Sequence, residues 1–528
     1  MNLTSLSFII FFAVLTILYY VFPKKAQWII LLISSYLFYF LVSNKLPIYM
    51  IFSTVIVHFT AVFIDSIDRK QKKFFSENRE KITREEKRTI KAQNDKKKRG
   101  LLIVAMILNF GILATFKYVD FIIGNINGVM SLFSSASIPL LSLTIPLGIS
   151  YYTFQSTGYI IDVYRGNCAA QRNIAKTALF VSFFSQIIQG PIGRYSDLER
   201  DLYKEHSFSF AEAKNGFVLM LWGFFKKIVI SDNLSLLFNP VYEEYSEYDG
   251  FQIIIATLLY GFLIYADFSG YMDIVSGASQ ILGIRIAKNF ERPYFSKSIE
   301  EFWRRWHISL GLWFKDYLFY PMSVSKVSSS ITKKMKKHGY KKFGKILPVY
   351  LFLIVVWFCT GLWHGANWNQ IVWGMMNVAV IIFSIQFDWL YKKAKNLLKI
   401  NDLSFGWKLF QVVRTYLVMA LIRVSCNTTS MQACFGIYKK MFLSPIPQRF
   451  SLSYFFPGLI DKGLLQVIAV MLAIGCLCMV DLIQRRCSVR DLLNGKSWII
   501  QGGIMILLST AILLFGTYAQ GGFMYAQF

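Results

Sequence analysis

Residues 346–363, ILPVYLFLIVVWFCTGLW, run for eighteen positions without a charged side chain and stop at His364. A helix that crosses the hydrocarbon core of a bilayer needs about 20 mostly apolar residues, so the run reads as a membrane span. At its end it delivers an ionisable imidazole between Trp363 and Trp368, followed by Gly365, where another backbone or a substrate can approach closely. An ionisable side chain at membrane depth is costly and as a rule faces a cavity or a polar partner. A modest pKa shift also poises imidazole as a general base near neutral pH.

The same pattern recurs along the chain. Of its 528 residues 55% are hydrophobic, 17% aromatic and only 16% charged, with a mean hydropathy of +0.44. Soluble domains carry about 25% charged residues, so a water-soluble fold is excluded as the default. Apolar runs fall at residues 5–22, 27–43, 47–65, 101–116, 118–134, 138–155, 174–190, 214–230, 251–283, 346–360, 367–387, 408–425, 463–482 and 498–516. Some are short or broken. The expectation is an all-α, polytopic integral membrane protein of roughly 11 to 13 transmembrane helices with re-entrant or amphipathic pieces, forming one membrane domain over 1–528. The first run, SLSFIIFFAVLTILYYVF, lacks a basic leader and a small-residue cleavage site and reads as a retained span.

A net charge of +27 would suggest nucleic acid in a soluble protein. Here much of it sits in one stretch, residues 66–99, with a second basic loop at 331–345. Positive charge between spans marks the cytoplasmic side, and counting back through three spans puts the N-terminus outside. The stretch reads as a solvated helical hairpin near anionic lipid, with no nucleic-acid partner. The seven cysteines are scattered, so neither a disulfide framework nor a metal site is expected.

Five histidines occur. His206 and His338 lie in polar loops without an expected role, and His58 reads as a satisfied structural side chain within a span. His307 is embedded in EEFWRRWHISLGLWFKDYLFYP, residues 300–321, where Trp303, Trp306, Leu310, Trp313 and Tyr317 recur at helical spacing. This reads as an amphipathic helix at the interface or under the bundle, ended by Pro321. Two histidines alone do not make a catalytic zinc site, which takes three protein ligands. In YADFSGYMDIVSG, residues 265–277, Asp267 and Asp273 interrupt an apolar run. They fit either an ion site of a transporter or pairing with Arg304 or Arg305 that holds the core together.

The blocks PLGISYYTFQSTGYIIDVYRG (146–166), FSQIIQGPIGRYSDL (184–198), YADFSGYMDIVSG through DYLFYP (265–321), GLWHGANWNQIVWG (361–374) and the terminal FMYAQF resemble the membrane-bound O-acyltransferase family. Within it the chain looks most like the bacterial alginate O-acetyltransferase branch. Two places depart from the family pattern: FYPMSVSK stands where YIPLGG is usual, and MMNVAV follows IVWG. The resemblance implies a helical bundle around a tunnel in a bacterial plasma membrane. Through it an acyl group, acetyl above others, moves from a cytoplasmic thioester, acetyl-CoA or another acyl thioester, toward a hydroxyl of a cell-envelope or extracellular polysaccharide. No bound cofactor is implied, and a separate extracytoplasmic acetyltransferase is the implied partner. The family's catalytic histidine maps to His364, and His307 matches its second polar position. Trp303, Arg304, Arg305, Trp306, Asn367 and Asp267 are the expected substrate-binding residues. The indoles or Asn367 would face an oxyanion, and the arginines would face donor phosphates or only anchor the helix. A D-alanyl transferase of teichoic acid synthesis, fed by a carrier protein, is the alternative within the family. An ion-coupled transporter built on Asp267 and Asp273, or a membrane scaffold without catalysis, is the alternative outside it.

Overall fold

The computed structural model describes residues 2–43, 47–428, 430–445 and 451–518, and the terminal block FMYAQF lies outside them. Among the described residues the regular elements are helices, apart from one isolated antiparallel bridge between Phe290 and Trp306. Nine of the helices are long and apolar enough to cross a membrane, and Leu6–Val21 is a shorter apolar one. Helices satisfy their own backbone polar groups, which hydrocarbon cannot do for them. Side chains that a soluble protein would bury stand exposed instead, such as Ile10 and Ile17 on Leu6–Val21 and Leu507 and Leu513 on Trp498–Phe515. The chain is a multi-pass, all-α membrane protein.

Nine spans among the described residues are fewer than the apolar runs suggest, and the differences are local. Runs 101–116 and 118–134 are one continuous helix, Arg84–Met130, in which Lys117 is buried rather than a break. Run 138–155 starts without helix: the amides of Leu141 and Ser142 donate to the Asp120 carboxylate at 2.8 and 3.0 Å, and helix begins at Ile149. Run 174–190 yields only Ile174–Ser182. Run 214–230 gives way after Phe224 to a π-helical stretch, Phe225–Ser231.

The chain forms two compact units, Met1–Lys214 with Ala278–Ala287, and Asn215–Gly277 with Lys288–Phe528. The first is built around Ile149–Arg165, which is buried at every position from Ile149 to Val163. In this unit His58 Nδ1 lies 2.9 Å from Thr177 Oγ1. Residues 66–99 form a helical hairpin from the end of Ile48–Glu77 and the start of Arg84–Met130. Thr83 and Glu86 cap the second helix reciprocally. Lys98 ties the hairpin with ion pairs to Asp68 at 2.8 Å and Asp95 at 3.0 Å.

The second unit carries the helices Phe343–His364 and Trp368–Gln386, joined by a three-residue turn. Their contact depends on two glycines. A methyl group at Gly361 would stand 2.5 Å from the Gln370 carbonyl oxygen, and one at Gly374 would strike the Trp357 carbonyl. Small residues let membrane helices touch backbone to backbone, and here the touching point lies one turn from His364. Residues 331–345, expected as a loop, are mostly helix: Lys326–Lys337 is capped by Ser325, and Met335 packs at Gly344. Val327, Ile331 and Met335 recur every four residues, and this pattern outweighs the lysine run.

Replacing Gly374 by leucine forces this helix pair apart. The expected loss is about 1–3 kcal/mol or more, read as a lower melting temperature of the purified protein in detergent. An unchanged melt would rule out the contact.

Candidate active site

His364 is the last residue of its helix and is 6% exposed. Its ring packs edge-on against Trp363 and Trp373, at centroid distances of 4.9 and 4.7 Å. Asn367 caps the next helix, its side-chain oxygen accepting from the Gln370 amide at 2.9 Å. Gln370 in turn donates through Nε2 to the Cys426 carbonyl at 3.2 Å, which docks the end of Phe405–Cys426 beside His364. A cavity of about 40 Å³ opens here, lined among others by Trp303, Trp306, His364, Gln370, Trp373 and Arg423.

His307 reaches the same place from a different direction. The helix expected over 300–321 is broken at this residue: Ile299–Arg305 ends, His307 takes φ 48°, and Ile308–Phe314 begins. Helix also continues past Pro321, as far as Ser323. A left-handed histidine is uncommon and needs its surroundings to hold it. The hold comes from the strand-like segment at Asn289: Glu291 N–H donates to the Arg305 carbonyl at 2.9 Å and Ile308 N–H to the Asn289 carbonyl at 3.0 Å. The Asn289 side-chain oxygen accepts from the Ser309 amide at 3.0 Å and from its hydroxyl at 2.9 Å, and lies 3.2 Å from His307 Nδ1.

This arrangement fixes a proton. The Ser309 N–H can only donate, so the atom it meets is the amide oxygen of Asn289. Facing the same oxygen, His307 Nδ1 must carry the hydrogen, and the lone pair lies on Nε2. The imidazole is 2% exposed, against Phe268 at 4.8 Å and Trp363 at 5.7 Å. Burial, and after it the His364 imidazole, hold its pKa well below the ordinary histidine value. Trp363 therefore packs on both imidazoles, and His307 stays neutral at neutral pH.

The other expected site residues divide. Trp303 and Trp306 line the cavity, and Trp303 Nε1 donates to Asn377 at 3.0 Å. Arg304 and Arg305 form ion pairs along their own helix, with Glu300 at 2.9 Å and Glu301 at 2.6 Å. They do not meet Asp267 and Asp273, whose partners are lysines of the π-helical stretch. Lys227 lies 2.7 Å from Asp267 and 2.8 Å from Asp232, and Lys226 lies 2.7 Å from Asp273. A π-turn widens the helix locally, and here both neighbouring lysines are buried. Asn367 is exposed. Among the described residues no three His, Cys, Asp or Glu side chains converge as a metal site would require. Asn289, Gln370, Trp373 and Arg423 were not singled out as site residues by the sequence reading. The signal for Asn289 is its place in the block AKNFERPYF.

The membrane-bound O-acyltransferase family model matches residues 169–335, a stretch that contains His307. Over 341 residues the chain is 31% identical to the probable alginate O-acetylase of Pseudomonas aeruginosa, covering 65% of this chain and 60% of that one. It is 32% identical over 307 residues to a peptidoglycan O-acetyltransferase of Helicobacter pylori, covering 53% of this chain and 54% of the relative. A teichoic acid D-alanyltransferase of Bacillus subtilis is 30% identical over 257 residues, 47% of this chain and 61% of the relative. The chain thus spans between half and two thirds of the length of these relatives.

The depressed His307 pKa has a sign that can be tested. Below about pH 6.5 the unfolded chain binds a proton that the folded site refuses. His307 therefore costs stability progressively as pH falls from there toward its folded-state value, and nothing above. Melting temperatures from pH 8 to pH 5 should fall less steeply for His307→Gln than for the wild type, and identical slopes would refute a buried neutral imidazole.

Proposed function

We propose that the chain is a membrane-bound O-acyltransferase, as its family match and relatives support, and that it moves an acetyl group from a cytoplasmic thioester toward a hydroxyl of an envelope polysaccharide. The observation that carries the reading is the pairing of two buried imidazoles across Trp363, one of them on a cavity about the size of an acyl group. A hydroxyl is a poor nucleophile until its proton is removed as it attacks.

In this reading His364 takes the hydroxyl proton while the oxygen attacks the thioester carbonyl carbon. The carbonyl electron pair moves onto its oxygen. Collapse then reforms the C=O bond, breaks the C–S bond, and the departing thiolate takes the proton from the imidazolium. His307, kept neutral with its lone pair on Nε2, supports His364 through the shared Trp363 wall. The indoles around the cavity exclude water, which would otherwise hydrolyse the thioester. The likeness to a peptidoglycan O-acetyltransferase and an alginate O-acetylase favours acetyl as the acyl group and a polysaccharide as the acceptor. The donor is acetyl-CoA or another acyl thioester, and an extracytoplasmic acetyltransferase is the proposed receiving partner. We place the chain in the bacterial plasma membrane with the 66–99 hairpin cytoplasmic. Three apolar helices precede that hairpin, which supports an N-terminus on the outer side.

Acetate released by mild base from envelope polysaccharide tests the reading, comparing wild-type cells with His364→Ala at matched protein level. A fall of about 100-fold or more is expected for loss of a general base. Unchanged acetate with loss of D-alanine ester in the same extract would transfer the assignment to the aminoacyl chemistry. No change in either would end it.

A further inference from the structure

Arg423 lies one turn before the end of Phe405–Cys426 and is 6% exposed. Its Nη1 donates to the Tyr294 hydroxyl at 3.1 Å. The guanidinium stands 5.1, 5.3 and 5.4 Å from the ring centroids of Trp306, Phe302 and Tyr294. Nη2 is buried with no hydrogen-bond partner, and no carboxylate pairs with the side chain among the described residues. Three other buried cations are treated differently: Lys226, Lys227 and Lys98 each meet at least one aspartate. Aromatic faces attract a cation but do not neutralise it. A buried charge without a counter-charge is strongly unfavourable, so the site favours a ligand on which negative charge develops.

A second orphaned donor belongs to another residue of the same cavity. Trp373 Nε1–H is buried without a partner among the described residues, on a ring 4.7 Å from the His364 imidazole. Arg423, Trp373 and His364 line the one cavity of about 40 Å³, room for a few heavy atoms. Two residues that carry orphaned N–H groups and one that carries a base line a space of that size, which suits negative charge developing on one oxygen of a small group.

We propose that Arg423 Nη2 and Trp373 Nε1–H hold the oxyanion of the acyl carbonyl in the His364 cavity, and that the Arg423 charge admits acyl groups without a cation, such as acetyl, while rejecting ammonium-bearing aminoacyl groups. The inference rests on the acyl-transfer reading above. As the hydroxyl attacks and His364 takes its proton, the carbonyl electron pair moves onto the oxygen facing these donors. The donors are fixed before the reaction and need no reorganisation when the charge appears. An ammonium group in the same cavity would be brought close to a guanidinium with which no carboxylate pairs among the described residues.

The test uses cells carrying the full chain as wild type, Arg423→Gln, Arg423→Lys, Trp373→Phe and His364→Ala, with membrane levels matched and the melting temperature of each variant measured. Acetate and D-alanine esters are read together after mild base. Arg423→Gln should lower acetate about 100-fold or more, the scale for loss of one oxyanion donor. Arg423→Lys should recover to within about 10-fold of wild type, because it keeps the cation. Trp373→Phe keeps the ring, loses the N–H and should fall about 10-fold. A merely structural arginine would lower the melting temperature without this rescue order. Full acetate in Arg423→Gln, with acetate abolished in His364→Ala, overturns the inference and leaves acyl transfer standing. Full acetate in His364→Ala overturns acyl transfer itself. Should Arg423→Gln fail to reach the membrane, Trp373→Phe at wild-type rate overturns the oxyanion pair, and His364-dependent D-alanine ester from wild-type cells overturns the selectivity.

Discussion

One amide oxygen, Oδ1 of Asn289, organises the buried chemistry of the second unit. It faces three donors at once, the Ser309 amide, the Ser309 hydroxyl and His307 Nδ1. By doing so it starts the Ile308–Phe314 helix, holds His307 in the left-handed region and selects the tautomer of that ring. An apolar residue there would orphan the donors, each at a cost of about 1–3 kcal/mol. The polarity of the site is therefore set by a neutral residue, and this is consistent with both imidazoles being buried.

The buried ion pairs beside it do different work. Lys226 and Lys227 bring positive charge to Asp273, Asp267 and Asp232 inside the bundle, so the carboxylates in the apolar run at 265–277 are compensated by lysines two helices away in sequence. Removing one partner of such a pair costs about 3–5 kcal/mol because the other charge stays behind. A framework held this way keeps its carboxylates occupied. That weakens the case for a transported ion at Asp267 and Asp273, and it sets off Arg423, whose charge meets no such partner among the described residues.

Much of this was legible in the sequence, and what was not has a common cause. The spans and His364 could be read because a bilayer writes long apolar runs into a chain and an imidazole at the end of one stands out. The aromatic stripe of residues 300–321 was legible as helix, but not its break at His307. That break depends on hydrogen bonds from Asn289, which sequence spacing does not reveal. The lysine partners of Asp267 and Asp273 were missed because a π-helical turn, not an α-helical one, presents both neighbours inward. Arg423 looks in sequence like the basic residue expected near a helix C-terminus. Only its burial, its orphaned nitrogen and its three aromatic neighbours distinguish it.

The helix Arg84–Met130 has 47 residues. At about 1.5 Å per residue it is roughly 70 Å long, more than twice the hydrocarbon thickness of about 30 Å. Its apolar part begins at Leu101, so the charged part from Arg84 projects about 24 Å beyond it. Electrostatic reach at physiological salt is about 8 Å. The headgroups reach about 5–7 Å beyond the hydrocarbon, so in a helix standing across the bilayer the basic residues at the tip lie about two screening lengths from the lipid surface, whereas Lys96, Lys97, Lys98 and Arg99 adjoin the apolar segment. The hairpin thus carries positive charge at two heights, one at the lipid surface and one out in the water.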